Sequence, residues 1–434
     1  MRDILIMLVF LYGLYRTVRE AYWGILVWSW VGYMNAHKLA YGFSTSFPFA
    51  MITAAITVPL LFLSKDKKTI PTDPLFFSWV FFVFWMIVTT IFCLYPWEAW
   101  DQLDKVLKIQ LFVGLTMIFI NSRKRIDGLV WVIVISLGYY GIKGGLYTLS
   151  TGGGGRVWGP PGSFISDNNQ IGLAMLVSMP LMYYLRQQSK NIWIRRGLLG
   201  TMVITVFSIL GTQSRGCFLA GLTASAFLWL KSKNKGGLGF VLIVLLPIAF
   251  MFMPASWHER MGTIENYEED SSAMGRINAW MMAFNLANSR FLGAGFGPWN
   301  GDAFARWAPD PNIIAAAHSI YFAILGEHGW VGLITFVMIA VMALIQAGKV
   351  IRYSLQYPEL SWLKNFMSMV QVSLIAFLVG GSFYSLAYFD LYWHLISFVI
   401  IGRQLLIQHA LAQSGSIRSF NRHTVWSALA RGKS

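Results

Sequence analysis

Apolar segments recur along the whole of this chain, several of them near the roughly 20 residues that a helix needs to cross a lipid bilayer. They lie near Ile4 to Tyr15, Tyr22 to Met34, Phe47 to Leu63, Leu75 to Leu94, Val106 to Ile120, Leu129 to Leu149, Ile171 to Leu185, Gly197 to Thr212, Cys217 to Leu230, Leu238 to Met253, Ser319 to Ile345, Phe366 to Leu386 and Leu391 to Leu406. Strands of a membrane barrel alternate apolar and polar residues with period two, whereas these segments are apolar all round, so the spans are helices. Only 12% of the 434 residues are charged and 56% are hydrophobic, against roughly a quarter charged in soluble domains. A soluble enzyme is excluded, and the fold class expected is an all-α, polytopic integral membrane protein.

The net charge of +15 comes from 34 Lys and Arg against 19 Asp and Glu. Such a balance is what cytoplasmic loops of a polytopic protein supply, and it calls for no nucleic acid. Lys65, Lys67 and Lys68, then Arg123, Lys124 and Arg125, then Arg186, Lys190, Arg195 and Arg196, then Lys231, Lys233 and Lys235, and finally Lys349, Arg352 and Lys364 fall in every second loop. Those loops are expected inside. So is the C-terminal tail, with Arg403, Arg418, Arg422, Arg431 and Lys433. Thirteen full spans would put the N-terminus outside. The two short opening segments are therefore read as one span plus an interfacial or re-entrant piece, giving about twelve spans with both ends inside. The start at Met1-Arg2-Asp3 lacks a small-residue cleavage site and reads as a retained first span. The chain is expected to form a single transmembrane domain over 1–434, with a long outer loop at 254–317 and a basic cytoplasmic tail at 408–434. Cys93 and Cys217 both sit in or beside apolar segments and indicate neither a disulfide framework nor a zinc site.

The outer loops hold Arg156, Arg215, Arg260, Arg276, Arg290 and Arg306, with few lysines beyond Lys38 and Lys105. A guanidinium keeps its charge and presents a planar fork of donors, so several together suit a diphosphate ester; pairing with acids such as Asp302 and Asp310 is the alternative for each. Arg215 stands apart because it sits in a tight Gln213-Ser214-Arg215-Gly216 turn between apolar segments, where a charge is costly. His318 opens an apolar run directly after the long outer loop. Nearby arginines disfavour its protonation and keep it a neutral proton acceptor. His328, beside Glu327 and Gly329, marks a break in the same segment and reads as an orienting or pairing group, and His37 beside Lys38 is a candidate for substrate contact. In the long loop, Asp270-Ser271-Ser272 reads as an N-cap. Ile277, Trp280, Met281 and Phe284 then follow at helical spacing, predicting an amphipathic helix on the membrane plane with Arg276 in its first turn. Gly152 to Gly155 before Arg156 lack the Gly-Lys-Ser/Thr of a phosphate loop and read as a flexible outer loop. No Asp-x-Asp, His-Glu-x-x-His, Cys-x-x-Cys or Walker motif is present, so no metal or other cofactor is expected and the energy must come from the substrate.

The order of these motifs resembles the bacterial O-antigen ligase superfamily. The resemblance rests on the Arg215 turn, Ser272 to Arg276, the run Gly293-Ala294-Gly295-Phe296-Gly297, and Ala317-His318-Ser319 through Glu327-His328-Gly329-Trp330-Val331-Gly332. Asp167-Asn168-Asn169 and Asn35-Ala36-His37-Lys38 fit the same pattern. It implies a multi-pass inner-membrane glycosyltransferase with a periplasmic active site, working without metal and by inversion. The donor it implies is a glycan on undecaprenyl diphosphate, and the first-choice acceptor is the lipid A core. A protein acceptor, as in protein O-oligosaccharyltransferases, or a growing glycan, as in O-antigen polymerases, uses the same donor. The resemblance makes His318 the general base and Arg215, Arg290 and Arg276 the diphosphate ligands, with Arg156, His37 and Lys38 as looser matches. From another class, a lipid-linked glycan transporter would use the arginines as a path, but no repeat of broken helices supports it.

Overall fold

The computed structural model describes residues 1–66, 68–231, 235–236, 239, 247, 251, 253–255, 258 and 271–413. Lys67, Lys233, Arg260, the Asp270 cap, most of the 238–253 segment and the tail from 414 onward lie outside the described residues. All regular elements described are helices. We number those used below α1 (Arg2–Arg19), α2 (Trp23–Met34), α3 (Phe49–Leu63), α4 (Pro74–Ile91), α5 (Pro96–Phe119), α6 (Arg123–Ser150), α7 (Asn168–Gln188), α8 (Ile192–Gly211), α9 (Arg215–Lys231), α10 (Ser271–Ser289), α11 (Gly301–Trp307), α12 (Ile320–Tyr353), α13 (Ser361–Gly381) and α14 (Asp390–Gln413). Among the described residues, six helical stretches are long and apolar enough to cross a membrane: Pro74–Ile91, Arg123–Ser150, Ile192–Gly211, Ile320–Gln356, Pro358–Gly381 and Asp390–Gln413. Phe49–Leu63 and Arg215–Leu230 are shorter apolar helices. The chain is a multi-pass membrane protein.

Helices α7, α12, α13 and α14 make the buried centre, where Leu173, Val177, Phe336, Phe366, Tyr392 and Trp393 pack together. Small residues let neighbouring helices approach closely, as bilayer-embedded packing favours. Gly141, Gly144 and Gly145 of α6, for example, lie against Thr205, Ser208 and Ile204 of α8.

The N-terminal expectation requires correction. α1 and α2 are two separate helices folded back as a hairpin, and the end of the bundle at which α1 starts differs from the expectation. Arg2 reaches the Leu39 carbonyl at 3.3 Å, and Asp3 accepts from the Ser44 hydroxyl at 2.5 Å. The start of α1 therefore lies at the same end of the bundle as His37 and Lys38. At the last helix, His409 lies 3.8 Å from Glu359, beside the start of α13, at the opposite end. The first and last described helices thus begin and finish at opposite ends. Charges at both tips of α1 (Arg2, Asp3, Arg16, Arg19) shortened the apolar stretch visible in the sequence, while Arg16 is held by Glu20 at 3.0 Å and lies over the Trp23 ring.

Other boundaries also shift. The loop expected over Tyr95 to Lys105 is largely the start of α5, extended by pairs one helical turn apart, Asp101 with Lys105 and Asp104 with Lys108, each at 2.5 Å. Arg403, expected in the tail, belongs to α14 and pairs at 3.1 Å with Asp73, whose side chain is almost fully buried. The expected tail at 408–434 begins within α14, which runs to Gln413. Finally, the stripe expected to make α10 amphipathic is not its buried face. Gly275, Ala279, Met282, Ala283 and Leu286 face inward, while Met281 and Phe284 stay exposed. Small side chains on that inner face let α10 pack tightly on α12, and polar residues such as Arg276, Asn278, Asn285 and Asn288 are spread around the helix rather than gathered on one side.

Candidate active site

One end of the bundle gathers the turns between helices that the sequence singled out. Three non-glycine residues there have left-handed backbone, Asn35 (φ 44°), Gln213 (φ 53°) and His318 (φ 44°). Each such conformation costs about 1 to 3 kcal/mol and persists only where the surroundings fix it. The three fall just before His37, just before Arg215 and at the expected base itself.

His318 is positioned from both sides. Trp280 of α10 donates its indole N–H to the Ala317 carbonyl at 2.7 Å and stacks on Phe322 at 4.9 Å, and on the other side Ser319 caps α12. The imidazole is half-buried. Burial lowers its pKa below the ordinary value, and the Arg276 charge lowers it further; Asp167 pulls the other way. It is therefore a neutral imidazole near pH 7. Arg276 lies on α10 one helical turn before Trp280, near enough for its charge to act on His318. The same charge opposes the rise that burial imposes on the Tyr384 hydroxyl.

Arg215 is the first residue of α9, and its neighbours fix it. Ser214 hydrogen-bonds Tyr384 through the two hydroxyls and accepts the Cys217 amide at 3.2 Å, capping the helix. A Cβ at Gly216 would stand 2.3 Å from the Tyr384 hydroxyl, so only glycine lets the tyrosine close on this turn. On the other flank, Arg156 Nε donates to the Gln213 carboxamide at 3.2 Å, and Gln213 donates to the Gly153 carbonyl at 3.2 Å. Asn168 ties the start of α7 to the Thr212 carbonyl at 2.7 Å, and Asp167 caps α7 with Gln170 in a capping box. Elements far apart in sequence thus converge: Arg156, Arg215, Arg276 and His318 share one region, joined through Gln213, Ser214, Tyr384 and Asp167.

The other expected residues stand apart from this group. Arg290 follows the last turn of α10, roughly 20 Å along the helix from Arg276 at 1.5 Å per residue. Its guanidinium donates to the Gly293 carbonyl at 2.7 Å and to the Phe92 carbonyl, where it closes the helix end. His328 is fully buried, and both ring nitrogens are engaged, with Thr89 at 2.7 Å and Tyr388 at 2.9 Å. The Tyr388 hydroxyl also donates to Glu327, which accepts the Trp299 indole at 3.2 Å. This network braces the break in α12 at Gly329 (φ 65°), where a Cβ would meet the Phe291 carbonyl at 2.4 Å. His37 packs 5.7 Å from Phe49, and burial, then Lys38, lowers its pKa. Lys38 is exposed and reaches toward Gly162 on the 151–167 loop, so this pair lies across that loop from Arg156. Arg306 takes the pairing alternative, with Asp302 at 3.1 Å.

Sequence reasoning passed over Tyr384, Gln213 and the structural role of Trp280. Tyr384 follows a glycine pair at the end of α13 (Gly380-Gly381), a helix-stop signal that marks an exit loop but not where its tyrosine points.

Residues 1–190 match a family described only as of unknown function (DUF5935). No curated protein matches the chain. Residues 173–337, the stretch that contains Arg215, Arg276, Arg290, His318 and His328, match the family model described as O-Antigen ligase. Over that stretch the chain is thus similar to the O-antigen ligase family, in keeping with the superfamily that its motifs resemble.

Proposed function

We propose that this protein is an O-antigen ligase of the bacterial inner membrane, which moves a glycan from undecaprenyl diphosphate to the lipid A core at the periplasmic face. The family domain supports a ligase- or polymerase-type role in glycan transfer. The observation that carries the finer reading is His318, held unprotonated by burial and by Arg276 on a strained backbone. In the reaction, the acceptor hydroxyl oxygen bonds to the anomeric carbon while His318 takes its proton. The bond from that carbon to the diphosphate oxygen breaks, and its electron pair leaves with the lipid diphosphate. Arg215 and Arg276, with Arg156 beside them, receive the charge that develops there; fixed donors aimed at developing charge are often the largest catalytic contribution. Inversion follows from a single displacement, and no metal takes part.

The test is transfer by the purified protein with a lipid diphosphate donor and three acceptors, lipid A core, a protein and a growing glycan. Transfer to lipid A core, lost by about a hundredfold to ten-thousandfold in His318→Ala with donor binding retained, is the expected result. Undiminished transfer by that variant removes the base. Transfer only to the protein or to the glycan moves the chain to the oligosaccharyltransferases or the polymerases, and transport of the lipid-linked glycan without transfer makes it a carrier.

A further inference from the structure

A cavity opens at the same end of the bundle, across the 151–167 loop from His318. It has a volume of about 190 Å³ and is bounded by α2, the start of α3, α5, residues 162–165 and the start of α14. Its walls are mostly apolar and aromatic, with Trp28, Phe164 and Phe389 among them, and its polar groups include Asp390 and Asn35. Asp390 is only 6% exposed. Among the described residues no side chain hydrogen-bonds or ion-pairs with its carboxyl group. The carboxyl group accepts from its own backbone amide, which leaves lone pairs for a ligand in the cavity.

We infer that this cavity binds one saccharide ring, with the Asp390 carboxyl group accepting its hydroxyls. This deepens the transferase reading and rests on it for the source of the sugar, a unit of the acceptor or of the donor glycan. Pockets for drug-sized molecules run from about 300 to 1,000 Å³, so a smaller one suits a single ring. Apolar walls with one or two placed polar groups match a ring that has C–H faces and hydroxyl edges. An ammonium ligand fits less well, because Lys38 reaches toward Gly162 in the cavity's own roof. The position also serves transfer: the loop that supplies Gly162 to Ile165 runs on to Asp167, which acts on His318.

The experiment is saturation-transfer NMR with methyl α-glucoside and, separately, glucosamine, on the full chain in nanodiscs free of glycoside detergent. Asp390→Asn removes the charged acceptor, and Ala50→Phe fills the cavity from α3 without touching it. The expected result is a signal for methyl α-glucoside that falls about tenfold in each variant, the size of one charge-assisted hydrogen bond, and is unchanged in His318→Ala. Signal from glucosamine alone, from neither sugar, or equal in all variants overturns the assignment. Transfer assays on the same proteins keep the two readings apart. No saccharide signal from the unsubstituted protein, with normal His318-dependent transfer, sinks the cavity alone. Transfer that survives His318→Ala sinks the base and leaves the cavity to be judged by its signal.

Discussion

The indole nitrogen of Trp280 donates to the carbonyl of Ala317 at 2.7 Å, pinning the residue before His318 to the middle of α10. Trp280→Phe keeps the stack on Phe322 but loses this bond. One such hydrogen bond contributes about 1 kcal/mol, and a small displacement of a catalytic group costs far more in rate than in stability. Initial rates should fall by about tenfold or more while the thermal midpoint moves by only a few degrees; equal losses in both would make Trp280 merely a packing residue.

If His318 is the base proposed above, it should set the acid limb of the pH profile. Its base form is the neutral imidazole, so the rate falls as pH drops through the folded-state pKa. Burial and Arg276 hold that pKa below the ordinary value, so activity should persist at pH values under about 6.5, where an unperturbed histidine is mostly protonated. Arg276→Gln removes one of the two depressing influences and should move the limb to higher pH, though only part of the way, because burial is the larger cause. The shape of the kcat/KM profile decides this independently of its height, and a limb that does not move separates Arg276 from the imidazole.

Tyr388 joins His328 to Glu327 inside the bundle, with neither polar group exposed. Tyr388→Phe leaves both short of a partner. The expected loss is about 1 to 3 kcal/mol for each buried group left unsatisfied, read as a lower thermal midpoint. A neutral result would mean that water takes the place of the hydroxyl.

Arg290 and Arg215 should part company. Arg290 holds two backbone carbonyls at the end of α10, so Arg290→Lys should cost about 1 kcal/mol of stability and little donor affinity. Arg215→Glu puts a negative charge beside the proposed diphosphate position and should weaken donor binding by tenfold or more. Equilibrium binding of the lipid diphosphate to both variants compares them; equal losses would return Arg290 to the donor site.

Much of this was legible in the residues, and what was not has physical reasons. Long apolar runs announce helices because a bilayer accepts little else, and His318 stood out as the only histidine opening a span after the long loop. Hydropathy fell short where charges sit at helix tips: Arg16 and Arg19 truncated the apolar run of α1, which folds as an 18-residue helix. The face of α10 was misread for a related reason, since alanine and glycine carry little weight in a hydrophobic stripe yet let helices approach most closely. The partition of the arginines depended on backbone carbonyls and on Gln213, which no spacing rule reports. Tyr384 was invisible because its partners, Ser214 and Gly216, lie some 170 residues earlier.

The break at Gly329 has a mechanical consequence. A Cβ on Gly293 would lie 2.7 Å from the Gly329 amide, and one on Gly329 would strike the Phe291 carbonyl, so two backbones interlock where α12 changes direction. Together with the bond from Trp280 to Ala317, this ties α10 to the segment that runs from His318 to His328 at two places. A rearrangement that opens this end of the bundle is then expected to carry α10 and that segment together.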